Sequence, residues 1–168
     1  MTRVARHHAD RTNQKLYFAQ LTLNQMQDVA NQQQLLALQE SCNFHLYGAI
    51  LALVQEIARF YHTKANLVQH DIRTLMQDLT QHNAYSPELQ RVGQLLQEGF
   101  LADIVHAYQD CLANPKPSTQ AAVARDDMLL IATSNAIDDH RPDAKQLQAW
   151  HQMLQQLVMQ LRDGLQEY

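Results

Sequence analysis

Nine histidines in a chain of 168 residues invite a metal or acid–base reading, because imidazole beside a carboxylate supplies the ligands and proton carriers of both. Spacing decides whether that chemistry can be assembled. A di-iron carboxylate bundle takes Glu-x-x-His on two helices and a further Glu from each of two more. No Glu-x-x-His occurs, and Asp103-Ile104-Val105-His106 is the lone acidic analogue. His45 and Glu56 share an edge of one helical segment, but at 1.5 Å per residue they stand roughly 16 Å apart and cannot hold one ion. A three-histidine site from separate helices, such as His45, His106 and His151, is compatible with the spacing but not favoured by it. The expectation is therefore no metal and no cofactor.

Nucleophilic chemistry finds as little support. Ser41-Cys42 falls in mid-helix, no Gly-x-Ser-x-Gly elbow exists, and neither cysteine has a local base. No glycine-rich phosphate loop is present. Arg3 and His8 match an Arg-x4-His ribonuclease pattern only at the N-terminus. Arg3, Arg6, Arg11 and Lys15 read as a solvated helix face, and a formal charge of −4 argues against a polyanion partner. Asp138-Asp139-His140-Arg141-Pro142-Asp143 reads as helix initiation rather than a cation site. No catalytic residue is expected.

Asp103 is the most suggestive polar residue. Its position lies inside the apolar stripe of its helix, where a carboxylate is costly unless paired. His106 follows one turn on, and His45, Glu56 and Arg59 project from the edge of a neighbouring stripe. The favoured reading is a hydrogen-bonded core or interface pair, for which Arg59 is one candidate partner, that sets helix register. The alternative is a small-molecule- or metal-binding bundle whose ligand site is His45, Glu56, Arg59, Asp103 and His106.

These residues need elements to position them, and the elements are helices. Abundant glutamine, leucine and alanine, with only four glycines and four prolines, lean the composition to all-α. Apolar residues repeat at helical spacing in five segments. The first runs from Val4 or Asp10 to Ala30 and the second from Gln34 to Tyr61. A shorter third covers Asn66 to His82. The fourth begins at Ser86-Pro87-Glu88, an N-cap followed by a first-turn proline, and ends before Asn114-Pro115. Gly93 and Gly99 suggest close packing or a bend within it. Residues 114–141 are irregular, with Met128-Leu129-Leu130-Ile131 as a short apolar piece, and the last helix runs from Pro142 to Gln166. The fold expected is one domain over residues 1–168: an antiparallel helical bundle of four long helices plus one shorter helix, with a long crossover before the last.

The second helix carries the one unusual feature. Phe44-His-Leu-Tyr-Gly-Ala-Ile-Leu-Ala-Leu-Val54 has a single strongly polar residue. A membrane span needs roughly 20 apolar residues, and Gln55, Glu56 and Arg59 follow at once. Between 44 and 61 the helix is apolar nearly all round, so it is buried on two sides. The favoured reading is a central helix covered by the third helix or the crossover. The sharper one is an interface of Phe44, Tyr47, Leu51, Val54 and Tyr61 with a second copy or another protein. Two cysteines without CxxC spacing and no apolar leader point to a reduced, cytoplasmic protein.

Residues 12–21 (TNQKLYFAQL), 44–61 (FHLYGAILALVQEIARFY) and 147–168 (LQAWHQMLQQLVMQLRDGLQEY) carry a resemblance over nearly the whole length to a family of small, all-helical bacterial proteins of uncharacterised activity. The resemblance implies a complete cytosolic domain and transfers no functional residue. The function expected is a non-enzymatic helical interaction or scaffolding module that self-associates.

Overall fold

The computed structural model describes residues 3–82, 86–113 and 141–166, with side chains from residue 10 to 165 within them. Among these residues there are six helices and no strand: α1 (Arg3–Met26), α2 (Gln32–Phe60), α3 (Ile72–Gln81), α4 (Pro87–Gln97), α5 (Phe100–Leu112) and α6 (Ala144–Gln166). The all-α expectation holds. The helix count does not, and both differences have local causes.

The third helix starts at Ile72 rather than Asn66, because Asp71 caps it by accepting a hydrogen bond from the Thr74 amide at 2.8 Å. Ahead of that cap, the Asn66 side chain accepts from the Val68 amide and so offers the backbone a turn in place of a helix. The fourth helix is two helices. Glu98 and Gly99 are both extended, at φ/ψ of −139°/83° and 169°/−177°, which breaks the backbone ladder. A Cβ on Gly99 would stand 3.0 Å from Leu95 Cδ2 and 3.2 Å from its carbonyl oxygen, so the close approach needs glycine.

Helix α2 lies at the centre and packs against each of the other five. Its start is capped by Asn31, whose side chain accepts from the amides of Gln33 and Gln34. At its end the Thr63 amide donates to the Ala58 carbonyl and the His62 amide to that of Arg59, with His62 at φ 51°. That pair of bonds closes the helix in the manner usually served by glycine. Cys42, Leu46, Tyr47, Ala49, Ile50, Leu53, Val54, Ile57 and Ala58 are all buried, so both faces of this helix belong to the core.

Side-chain contacts give the directions. Thr12 meets Glu56 and Phe18 meets His45, so α1 and α2 are antiparallel. Asn43 meets Cys111 and Tyr47 meets Tyr108, so α5 also opposes α2. Glu40 meets Arg141 and Glu56 meets Arg162, which makes α6 parallel to α2. The end of α5 and the approach to α6 therefore stand at the same end of α2, and Cys111 and Arg141 border one groove. The long crossover expected before the last helix falls on residues outside those described. The irregular stretch and its Met128–Ile131 piece lie outside the described residues, apart from Arg141.

Candidate interaction site

The seam between α2 and α5 gathers aromatic rings at one end and a groove at the other. Tyr47 and Tyr108 stack face to face, 3.8 Å between centroids and 5° between planes. Phe44 sets its edge on Tyr108 at 5.0 Å and 80°. The three follow from sequence: Phe44 and Tyr47 are one helical turn apart, so both can reach one ring on the neighbouring helix. The Tyr47 hydroxyl accepts from the Ile72 amide at 2.9 Å and donates to the His70 carbonyl at 3.3 Å, which ties the start of α3 to α2. Burial raises the Tyr47 hydroxyl above its ordinary pKa, against the opposing pull of the Ile72 N–H.

One turn toward the N-terminus of α2, the groove is walled by Leu36, Ala107 and Pro142, with Asn43 and Cys111 between them. Asn43 is only 1% exposed. Its amide nitrogen donates to Cys111 Sγ at 3.9 Å, while its Oδ1 has no partner among the described residues. At the rim Arg141 pairs with Glu40 at 3.2 Å, both side chains exposed. Burial pushes the Cys111 thiol up, opposed by the Asn43 hydrogen bond, and pushes the Cys42 thiol up to about 12. Neither is a ready thiolate, so the seam is built for packing rather than for nucleophilic attack.

A family model described as a family of unknown function, DUF6586, matches residues 6–168. The chain belongs to DUF6586. A search of curated proteins and a search of solved structures give no match. The resemblance drawn from residues 12–21, 44–61 and 147–168 holds at the level of this helical family, and membership in DUF6586 assigns no residue a role.

Within this DUF6586 chain the residues singled out by sequence are dispersed. His45 is half-buried against the Phe18 ring, 5.4 Å away, and its pKa is lowered by burial first and by the Lys15 charge second. Glu56 accepts from Arg162 Nε at 2.8 Å, from Arg162 Nη2 at 2.9 Å and from the Thr12 hydroxyl at 2.8 Å. Arg162 also donates to Asn13 Oδ1, so one carboxylate binds α1, α2 and α6 together. Arg59 is half-buried in the last turn of α2.

Asp103 and His106 are exposed, so the core form of the expected Asp103 pair is not what the chain adopts. The extended Glu98-Gly99 pair offsets α5 from α4, and α5 buries Leu101, Ile104, Val105 and Ala107 instead. Asp103 then faces solvent in the first turn of α5, where a carboxylate suits the helix dipole. Among the described residues no group of three His, Cys, Asp or Glu side chains could hold a metal ion, and no helix is long and apolar enough to cross a membrane.

The face suggested for a second copy is mostly used within the chain. Tyr47 and Val54 are buried, and Leu51 and Tyr61 are partly buried against the core. Only Phe44 of that set is left exposed, at 39%. Sequence reasoning missed Thr12, Arg162 and Tyr108. Thr12 carried a usable signal, since it precedes Leu16 by four residues and falls on the buried stripe of α1.

Proposed function

We propose that this protein is a non-enzymatic interaction module that forms a homodimer through the α2–α5 seam. It is a single domain in which α1, α2, the α4–α5 pair and α6 act as four antiparallel rods. The exposure of Phe44 carries the reading. A Phe held edge-on to Tyr108 keeps over a third of its surface in water, and Leu112, one turn beyond Tyr108, is 60% exposed. Aromatic residues of this kind are enriched at interface centres, and a two-fold axis at the seam would set each copy's Phe44 face against the other's.

Glu56 is committed to Arg162 and Thr12 and burial raises both thiols, which supports the same reading. Reduced cysteines favour the cytoplasm of a bacterial cell, and the net charge of −4 favours a protein partner over nucleic acid. Sedimentation equilibrium should return about twice the chain mass. Phe44→Arg should return the chain mass with an unchanged far-UV CD spectrum. A wild type that stays monomeric at high concentration would rule out the dimer, and a dimeric Phe44→Arg would move the contact elsewhere.

A further inference from the structure

We infer that two imidazoles, His45 on α2 and His151 on α6, clamp the middle of α1 in their neutral forms and release it when they take up protons. Both act on the same turn of α1. His151 is 0% exposed, and its Nε2 lies 3.0 Å from the Leu16 carbonyl oxygen. A carbonyl only accepts, so Nε2 carries the proton and Nδ1 is a bare acceptor in the neutral ring. Two residues further along α1, the Phe18 ring rests on His45 at 59° between planes. Nδ1 of each histidine is buried and has no hydrogen-bond partner among the described residues.

Protonation therefore adds a buried charge to both rings, and to His151 also an N–H with no acceptor among the described residues, which is the costly form of burial. The charged groups around the clamp do not offset it. From α1 come Asp10 and Arg11, both exposed, and Lys15, whose methylenes lie across Gly48 of α2. From α2 come Glu40, paired with Arg141, and Glu56, paired with Arg162 of α6. Among the described residues no carboxylate is bonded to either ring. Burial lowers the pKa of both histidines below 6.5, and Lys15 lowers that of His45 further. With the folded pKa values depressed, the unfolded or opened form binds more protons. The attachment of α1 is then full above pH 6.5 and weakens as pH falls below it. Opening would uncover Leu16, Ala19, Leu23 and Met26 of α1, on the side of α2 away from the α5 seam, so the inference does not depend on the dimer.

Hydrogen exchange of the full chain between about pH 7 and about pH 4.5, corrected for intrinsic rates, reads this directly. Amides of residues 10–26 should lose protection by about tenfold or more while those of α5 keep theirs. The double variant His45→Gln, His151→Gln keeps an amide donor for the Leu16 carbonyl without a titrating ring, and should flatten the pH dependence. Loss of protection in α1 and α5 together, or the wild-type pH dependence in the double variant, would overturn the clamp. The ring protons of the wild type give a second reading should the variant misfold. Their NMR titration should share one midpoint, below 6.5, with α1 opening. Rings that titrate while α1 stays protected would equally refute it.

Discussion

Glu56 shows what a single carboxylate does when three helices close around it. It accepts from Arg162 through two nitrogens and from the Thr12 hydroxyl, with only 11% of its side chain exposed. Removing one member of a nearly buried pair strands the other charge away from full hydration. Glu56→Ala should cost about 3 kcal/mol, and Glu56→Gln, which keeps an acceptor, distinctly less. A urea midpoint unmoved in Glu56→Ala would mean that the network carries no stability. Sequence periodicity singled out Glu56 but not its partners. Arg162 lies 106 positions away, and no repeat or motif links residues at such separation. His151 was closer to being legible: it sits on the stripe of Leu147 and Leu154, and a polar residue on an apolar stripe signals a buried hydrogen bond.

At the scale of elements, the long periodic helices were legible and their interruptions were not. α1, α2 and α6 begin and end close to where stripe and caps place them, since burial of one face is what decides a long amphipathic helix. The stripe from Leu89 to Cys111 hid the break at Glu98-Gly99, because apolar residues resume on either side of it. Gly99 marked the place, but glycine is compatible with a bend, a close contact or a break. The consequence falls on Asp103. With α5 offset from α4, the residue faces water, and Asp103→Ala should change stability by less than about 1 kcal/mol, the scale of a first-turn dipole interaction. A loss of several kcal/mol in the same urea measurement would return Asp103 to the core and deny the offset. The interface residues followed a similar course: α2 was legible as apolar on both faces, but which neighbours cover the second face depends on α3 and α5, whose positions no local signal records.

For the molecule as a whole, the helix order follows from neighbours meeting end to end. α2 touches each of the other described helices, and its side-chain partners run antiparallel on α1 and α5 and parallel on α6. The placement of Cys111 and Arg141 on one groove then bears on chain entropy. The 27 residues 114–140 connect two segments whose Cys111 and Arg141 line one groove, so a connection there need span little distance. Such a closure costs roughly (3/2)RT ln n, and cutting the loop to about ten Gly/Ser residues should return roughly 0.9 kcal/mol of it. A linker of that length has a root-mean-square reach of about 17 Å, ample for ends on one groove. The shortened protein should therefore melt at or slightly above the wild-type temperature. A fall of many degrees would show that the segment contributes packing rather than only closing the chain. A connection between segments that line one groove is also the natural place to open new termini: a circular permutant cut there, with its original ends joined, should give an unchanged far-UV CD spectrum.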